Sequence, residues 1–117
     1  MINLLLIGST GSIGKELELL LNKVENIKVF SVSRRNIKNH IQCDLLKDDL
    51  KTIIFAKNFS FTFEYVIDCT KGNTYYDSMK IFKNVINYVS SINSHFIYFS
   101  SFVIYFQKNY SNWYTNY

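Results

Sequence analysis

The sequence predicts a doubly wound α/β domain on a parallel sheet, and three observations carry that prediction. Apolar runs of strand length alternate along the chain with stretches of helical periodicity. The first run, Ile2 to Ile7, is apolar on both faces apart from Asn3, as a central strand covered on both sides must be. A glycine-rich turn, Gly8-Ser9-Thr10-Gly11-Ser12-Ile13-Gly14, joins that run to the first amphipathic stretch.

Taken in order, residues 2–7 are the first strand. A helix from Ser12 to Val24 presents Ile13, Leu17, Leu20, Leu21 and Val24 on one face, with Glu16, Glu18 and Lys23 towards water. Asn26 breaks it. Ile27–Ser33 is the second strand and His40–Cys43 a short third one. A helix over Lys47–Lys57 turns Leu50, Ile53 and Ile54 inward. Phe59, Phe61 and Phe63 alternate with polar residues, a spacing that suits a packed connection. Tyr65–Cys69 is the fourth strand and Thr74 to Ile92 a long helix striped by Met79, Phe82, Ile86 and Val89. Phe96–Ser100 is the fifth strand. No linker and no internal repeat divides the chain, so its 117 residues make one domain.

Strand, glycine turn and helix is the context in which glycine spacing points to a dinucleotide. The chain has four glycines, and three of them stand at 8, 11 and 14. Gly8 lets the chain turn sharply out of the strand. Gly11, without a Cβ, lets backbone approach a pyrophosphate. Gly14 lets the helix pack closely on the first strand. The helix then aims free N–H groups and its positive end at the phosphates, with Ser9, Thr10, Ser12 and Ile13 completing the turn. No Gly-Lys-Ser/Thr sequence follows, which excludes a mononucleotide P-loop.

Composition narrows the partners. Apolar residues are 48% and aromatics 17%, the latter tracking an Asn-, Lys- and Ile-rich usage. Net charge is +4 without a Lys/Arg block, which gives nucleic-acid binding little support and suits a phosphate-bearing small molecule. Cys43 and Cys69 lie far apart with no metal-ligand spacing and read as reduced core thiols. No signal peptide and no membrane-length apolar run is present, so a cytoplasmic chain is expected. Oligomeric state is not readable.

The end of the second strand, Ser33-Arg34-Arg35, falls where a dinucleotide fold reads the adenosine ribose. An acid there would repel a 2′-phosphate. Serine and two arginines favour NADP over NAD, the alternative being a solvated basic turn. Asp44 is placed to accept from an adenine amino group with Leu45 against the ring; alternatively Asp44 caps the next helix. Thr70 and Lys71, at the exit of the fourth strand, flank the cofactor or form a plain turn. His40 reads as a strand-edge residue, since no second His or Cys is spaced to make a metal site with it.

Together Gly8, Gly11 and Gly14, Asp44-Leu45 and the segment Phe96-Ile97-Tyr98-Phe99-Ser100-Ser101-Phe102-Val103-Ile104-Tyr105 resemble the extended short-chain dehydrogenase/reductase family, the NAD(P)-dependent epimerase/dehydratase group. The resemblance implies a Rossmann-type sheet, an NADP or NAD cofactor and a small hydroxylated substrate such as a sugar nucleotide. It implies that Ser101, or next Ser100, holds the substrate oxygen. It also implies a catalytic tyrosine with a lysine four residues later. Tyr114 and Tyr117 stand at fitting distances, but their plus-four positions lie beyond residue 117. Tyr76 and Lys80 have the spacing but precede the serines, against the family order. The resemblance therefore covers the cofactor-binding part of such an enzyme, truncated before the later strands and the substrate lobe. A non-catalytic dinucleotide-binding module and an inactive remnant are the alternatives.

Overall fold

The computed structural model describes residues 1–99. Five parallel strands form one sheet in the order β3-β2-β1-β4-β5: β1 Ile2–Ile7, β2 Ile27–Ser33, β3 His40–Gln42, β4 Tyr65–Asp68 and β5 His95–Tyr98. Three helices lie among the described residues: α1 Ser12–Leu21, α2 Leu50–Ala56 and α3 Tyr75–Val89. The order is the first five strands of a Rossmann-type doubly wound sheet. Each predicted element is present, most of them a few residues shorter than read. The predicted fifth strand, 96–100, runs beyond the described residues at Ser100.

Alternation along β1 divides the core. Leu5 and Ile7 face α2 and α3, in a cluster with Val32, Ile41, Val66, Val85 and Tyr88. Leu4 and Leu6 face α1 and meet Leu17, Leu21 and Ile67. The aromatic connection closes the larger cluster. The Phe59, Phe61 and Phe63 rings gather round Phe30, with centroids 5.3 to 5.4 Å from it. This packing is why three phenylalanines stand in a segment without regular structure.

The predicted inner face of α1 needs correction. Ile13, Leu20 and Val24 are about half exposed, at 53%, 59% and 47%. Gly14 is buried against the Gly8 carbonyl instead, and this contact sets the helix's rotation. Leu17 and Leu21 stay inward, but Glu18, read as facing water, turns towards the sheet. The helix ends at Leu21, and the chain turns at Asn26 with φ 68° before β2.

Asp44 does not cap α2 either. Its carboxylate accepts from Leu46 N at 3.1 Å within its own turn, and Asp49 is the cap, accepting from Thr52 N. Asn84 of α3 ties this turn down. It donates to the Leu45 and Asp48 carbonyls at 2.9 and 2.6 Å and accepts from Leu50 N at 3.0 Å. Asn84→Ala leaves three backbone groups without partners, and a loss of about 2 kcal/mol in urea denaturation is expected.

No helix stands between β2 and β3, whose connection is residues 34–39 alone. Among the described residues no helix is long and apolar enough to cross a membrane.

Candidate functional site

After β3 the chain returns to the centre of the sheet and adds β4 on the other side of β1. The carboxyl ends of β1 and β4 therefore lie side by side at the point where the winding reverses, the usual place for a ligand in such sheets. A cleft of about 260 Å³ opens there. Its floor is Ile7, Gly8 and Cys69, and its far wall is Val32, Ser33, Arg34 and the turn Cys43 to Leu46.

The glycine turn fits its predicted roles unequally. Gly8 has φ +83°, and a Cβ on it would meet Cys69 C and Thr70 N at 2.9 Å, so backbone of β1 and β4 meets there. A Cβ on Gly14 would stand 2.0 Å from the Gly8 carbonyl oxygen. Gly11 is different: its nearest neighbour would be that same oxygen at 3.6 Å, so its side towards the cleft is open. Thr10 also lines the cleft. Ser12 and Ile13 are exposed on the first turn of α1 outside it, and Ser9 is buried beneath with its hydroxyl unpartnered.

Capping distinguishes α1 from its neighbours. Asp49 caps α2 and Thr74 caps α3, each through a side-chain oxygen. The cap position of α1 is Gly11, no side chain bonds its first turn, and no acid stands in that turn. The helix end that opens at the cleft is thus the one whose N–H groups and dipole are left for another acceptor.

On the far wall Arg34 lines the cleft, whereas exposed Arg35 does not. Ser33 lines it too, but its hydroxyl donates to the Arg35 carbonyl at 3.1 Å and lies 3.1 Å from His40 Nδ1. Asp44 and Leu45 are in the wall, together with Leu46. On the near side Thr70, Lys71, Gly72 and Asn73 form the exit loop of β4. The structure thus brings Gly8, Thr10, Gly11, Ser33, Arg34, Asp44, Leu45, Thr70 and Lys71 to one cleft. Ser100, Ser101, Tyr114 and Tyr117 lie outside the described residues. Tyr76 and Lys80 are exposed on α3.

Three features of the site were not read from the sequence. Asp68, at the end of β4, is fully buried. Its Oδ1 accepts from Thr70 N at 2.8 Å and Thr70 Oγ1 at 2.5 Å, while Oδ2 has no partner. Burial pushes its carboxyl up to about 6 against the pull of the two Thr70 bonds. Its signal in the sequence is an acid two residues before a threonine at a strand exit. Gly72 presses on the start of α3, where a Cβ would meet Ser78 N at 2.5 Å, and its N–H donates to Ser78 Oγ at 3.0 Å. Cys43 and Cys69 both reach the cleft as free thiols. Burial, aided by neighbouring carboxylates, raises them to about 12 and about 11, so neither is a nucleophile at neutral pH. The described residues hold no cluster of three or more metal-ligating side chains.

No protein-family model matches this chain, and no curated protein matches it. Among solved structures it is similar to the crystal structure of the protein lin1944 from Listeria innocua, with a TM-score of 0.61 at 15% identity. The match covers 81% of this chain and 51% of that one, so the chain spans about half the length of that structure. At this identity the likeness carries the fold.

Proposed function

We propose that the cleft binds a dinucleotide, NADP in preference to NAD, and that the chain is the cofactor-binding domain of an oxidoreductase of the epimerase, dehydratase or reductase type. The observation that carries the reading is the uncapped start of α1 at the mouth of the cleft, beside the open side of Gly11. A pyrophosphate is the ligand group that such a helix end takes best, because it accepts several N–H bonds and meets the positive end of the dipole.

The rest of the cleft suits the same molecule. Leu45 and Leu46 offer an apolar wall for an adenine ring, with the Asp44 carboxylate beside them. Arg34 supplies a fixed cation where a ribose phosphate would stand. Thr70 and Lys71 border the opposite end. A bound nicotinamide would supply hydride transfer, and the chain's own contribution is to bind and orient it. A sugar nucleotide or similar hydroxylated molecule is the substrate class that goes with this reading.

Titration of the purified chain with NADPH and with NADH, followed by calorimetry or nucleotide fluorescence, tests the proposal. Saturable binding of both is expected, NADPH the tighter. Arg34→Ala should weaken NADPH about tenfold and leave NADH within about twofold, since only the former presents the phosphate. Binding of neither nucleotide overturns the reading.

A further inference from the structure

A line of polar side chains runs from α1 across β2 and the edge strand β3 to the arginine loop. The Glu18 carboxylate accepts from the Ser31 hydroxyl of β2 and lies 3.1 Å from His40 Nε2 on β3. The other ring nitrogen, Nδ1, is 3.1 Å from Ser33 Oγ, and Ser33 donates to the Arg35 carbonyl at 3.1 Å. Alongside, Gln42 Nε2 donates to the Arg34 carbonyl at 3.3 Å. The backbone of the loop is thereby held at two successive carbonyls by side chains of β2 and β3.

This arrangement answers a gap in the fold. A helix ordinarily joins successive parallel strands and covers them, but β2 and β3 have only residues 34–39 between them. β3 is three residues long and lies at the edge of the sheet. Its hold on the domain on the α1 side comes through His40 and Glu18. Their side chains are only 12% and 24% exposed, so the contact is shielded from solvent. Ser33 therefore does not face a ribose with a free hydroxyl. It anchors the loop, and Arg34 is the residue left facing the cleft.

We propose that Glu18, His40 and Ser33 are positioning residues that set the cleft's preference for a 2′-phosphorylated dinucleotide, by fixing the loop that carries Arg34. The proposal rests on the dinucleotide reading of the cleft. A guanidinium discriminates for a phosphate only while its backbone is fixed, because the two-pronged bond loses most of its advantage when the loop wanders. Loosening the loop should weaken the phosphate contact and spare the contacts at α1.

The test uses Ser33→Ala, Glu18→Ala, Glu18→Gln and His40→Phe with two readouts. The first is the ratio of NADH to NADPH dissociation constants. The second, independent of any nucleotide, is the rate of trypsin cleavage after Arg34 and Arg35 relative to cleavage after Lys57. Ser33→Ala is the mildest change and keeps the test open should the others fail to fold. The alanine and phenylalanine variants should lose about tenfold in the nucleotide ratio, chiefly through NADPH, and gain at least about fivefold in relative cleavage. Glu18→Gln, which still accepts from Ser31 and His40, should recover most of both. A purely structural role would weaken the two nucleotides equally, and an unchanged ratio in variants whose parent prefers NADPH overturns this proposal alone. A parent that binds neither nucleotide overturns the dinucleotide reading and this proposal with it, whatever the cleavage shows.

Discussion

Gly14→Ala is expected to cost about 3 kcal/mol or more of folding stability. The added methyl carbon would stand 2.0 Å from the Gly8 carbonyl oxygen, 2.8 Å from its carbon and 2.9 Å from the Ser9 Cα. All three are backbone atoms, so no side chain can swing aside. The turn cannot retreat, because Gly8 is itself closed in by the Cys69 and Thr70 backbone. α1 must lift from the sheet, and Leu17 and Leu21 lose their contacts with Leu4, Leu6 and Ile67. Gly11→Ala is the matching control. Its methyl group meets nothing closer than 3.6 Å, and the backbone at φ −75° accepts any residue, so stability should change by less than about 1 kcal/mol. The same change should weaken NADPH binding, as it fills the space where backbone would approach the pyrophosphate. Urea denaturation and nucleotide titration of the two variants separate the glycine that builds the fold from the one that faces the ligand.

Asp68→Asn is expected to gain about 3 kcal/mol on the parent chain between pH 4 and pH 7. In the fold the Asp68 carboxyl is raised to about 6 by burial, from an ordinary 3.8 that the unfolded chain keeps. Between those values the native state holds a proton that the unfolded state has released. The contribution of this group is therefore fully present below pH 3.8 and is lost as pH rises through about 6. Asparagine mimics the protonated acid and does not titrate, and its Oδ1 can still accept from Thr70. Stability curves of parent and variant, measured by denaturant titration across this range, should diverge steadily and become parallel above pH 7. Curves parallel throughout would mean that Asp68 is ionised at all these values in the fold.

The order of the elements was legible because each strand is a compact apolar run and each helix has a clear stripe. The rotation of α1 was not. Hydrophobic periodicity centres its face on Ile13, Leu17, Leu20 and Val24, yet the helix turns on Gly14, a residue that carries no hydrophobic signal. Closeness of backbone, not oiliness, decided which side went in, and Glu18 followed Gly14 towards the sheet. The cleft was readable where backbone chemistry defines it, at Gly8, Gly11 and the strand exits at Arg34 and Thr70. It was not readable where burial decides. Asp68 looks like any acid at a strand end until the fold buries it completely. Ser33 lines the cleft as read, but that its hydroxyl is turned to Arg35 and His40 has no signal in the sequence. Asn84 has no motif at all, since its three partners lie far away in sequence.

The parallel sheet also imposes a timetable on the chain. Among the described residues no two strands form a hairpin, so none of these can nucleate by a tight turn. β1 can meet β2 as soon as α1 has formed, but its other edge waits for Tyr65 to Asp68. Until then Leu4 to Ile7 has only one neighbour, and an apolar strand edge lies open to other chains. Growth at low temperature, which slows synthesis and weakens apolar association together, suits a chain whose central strand is enclosed on its second edge only after β4 is made.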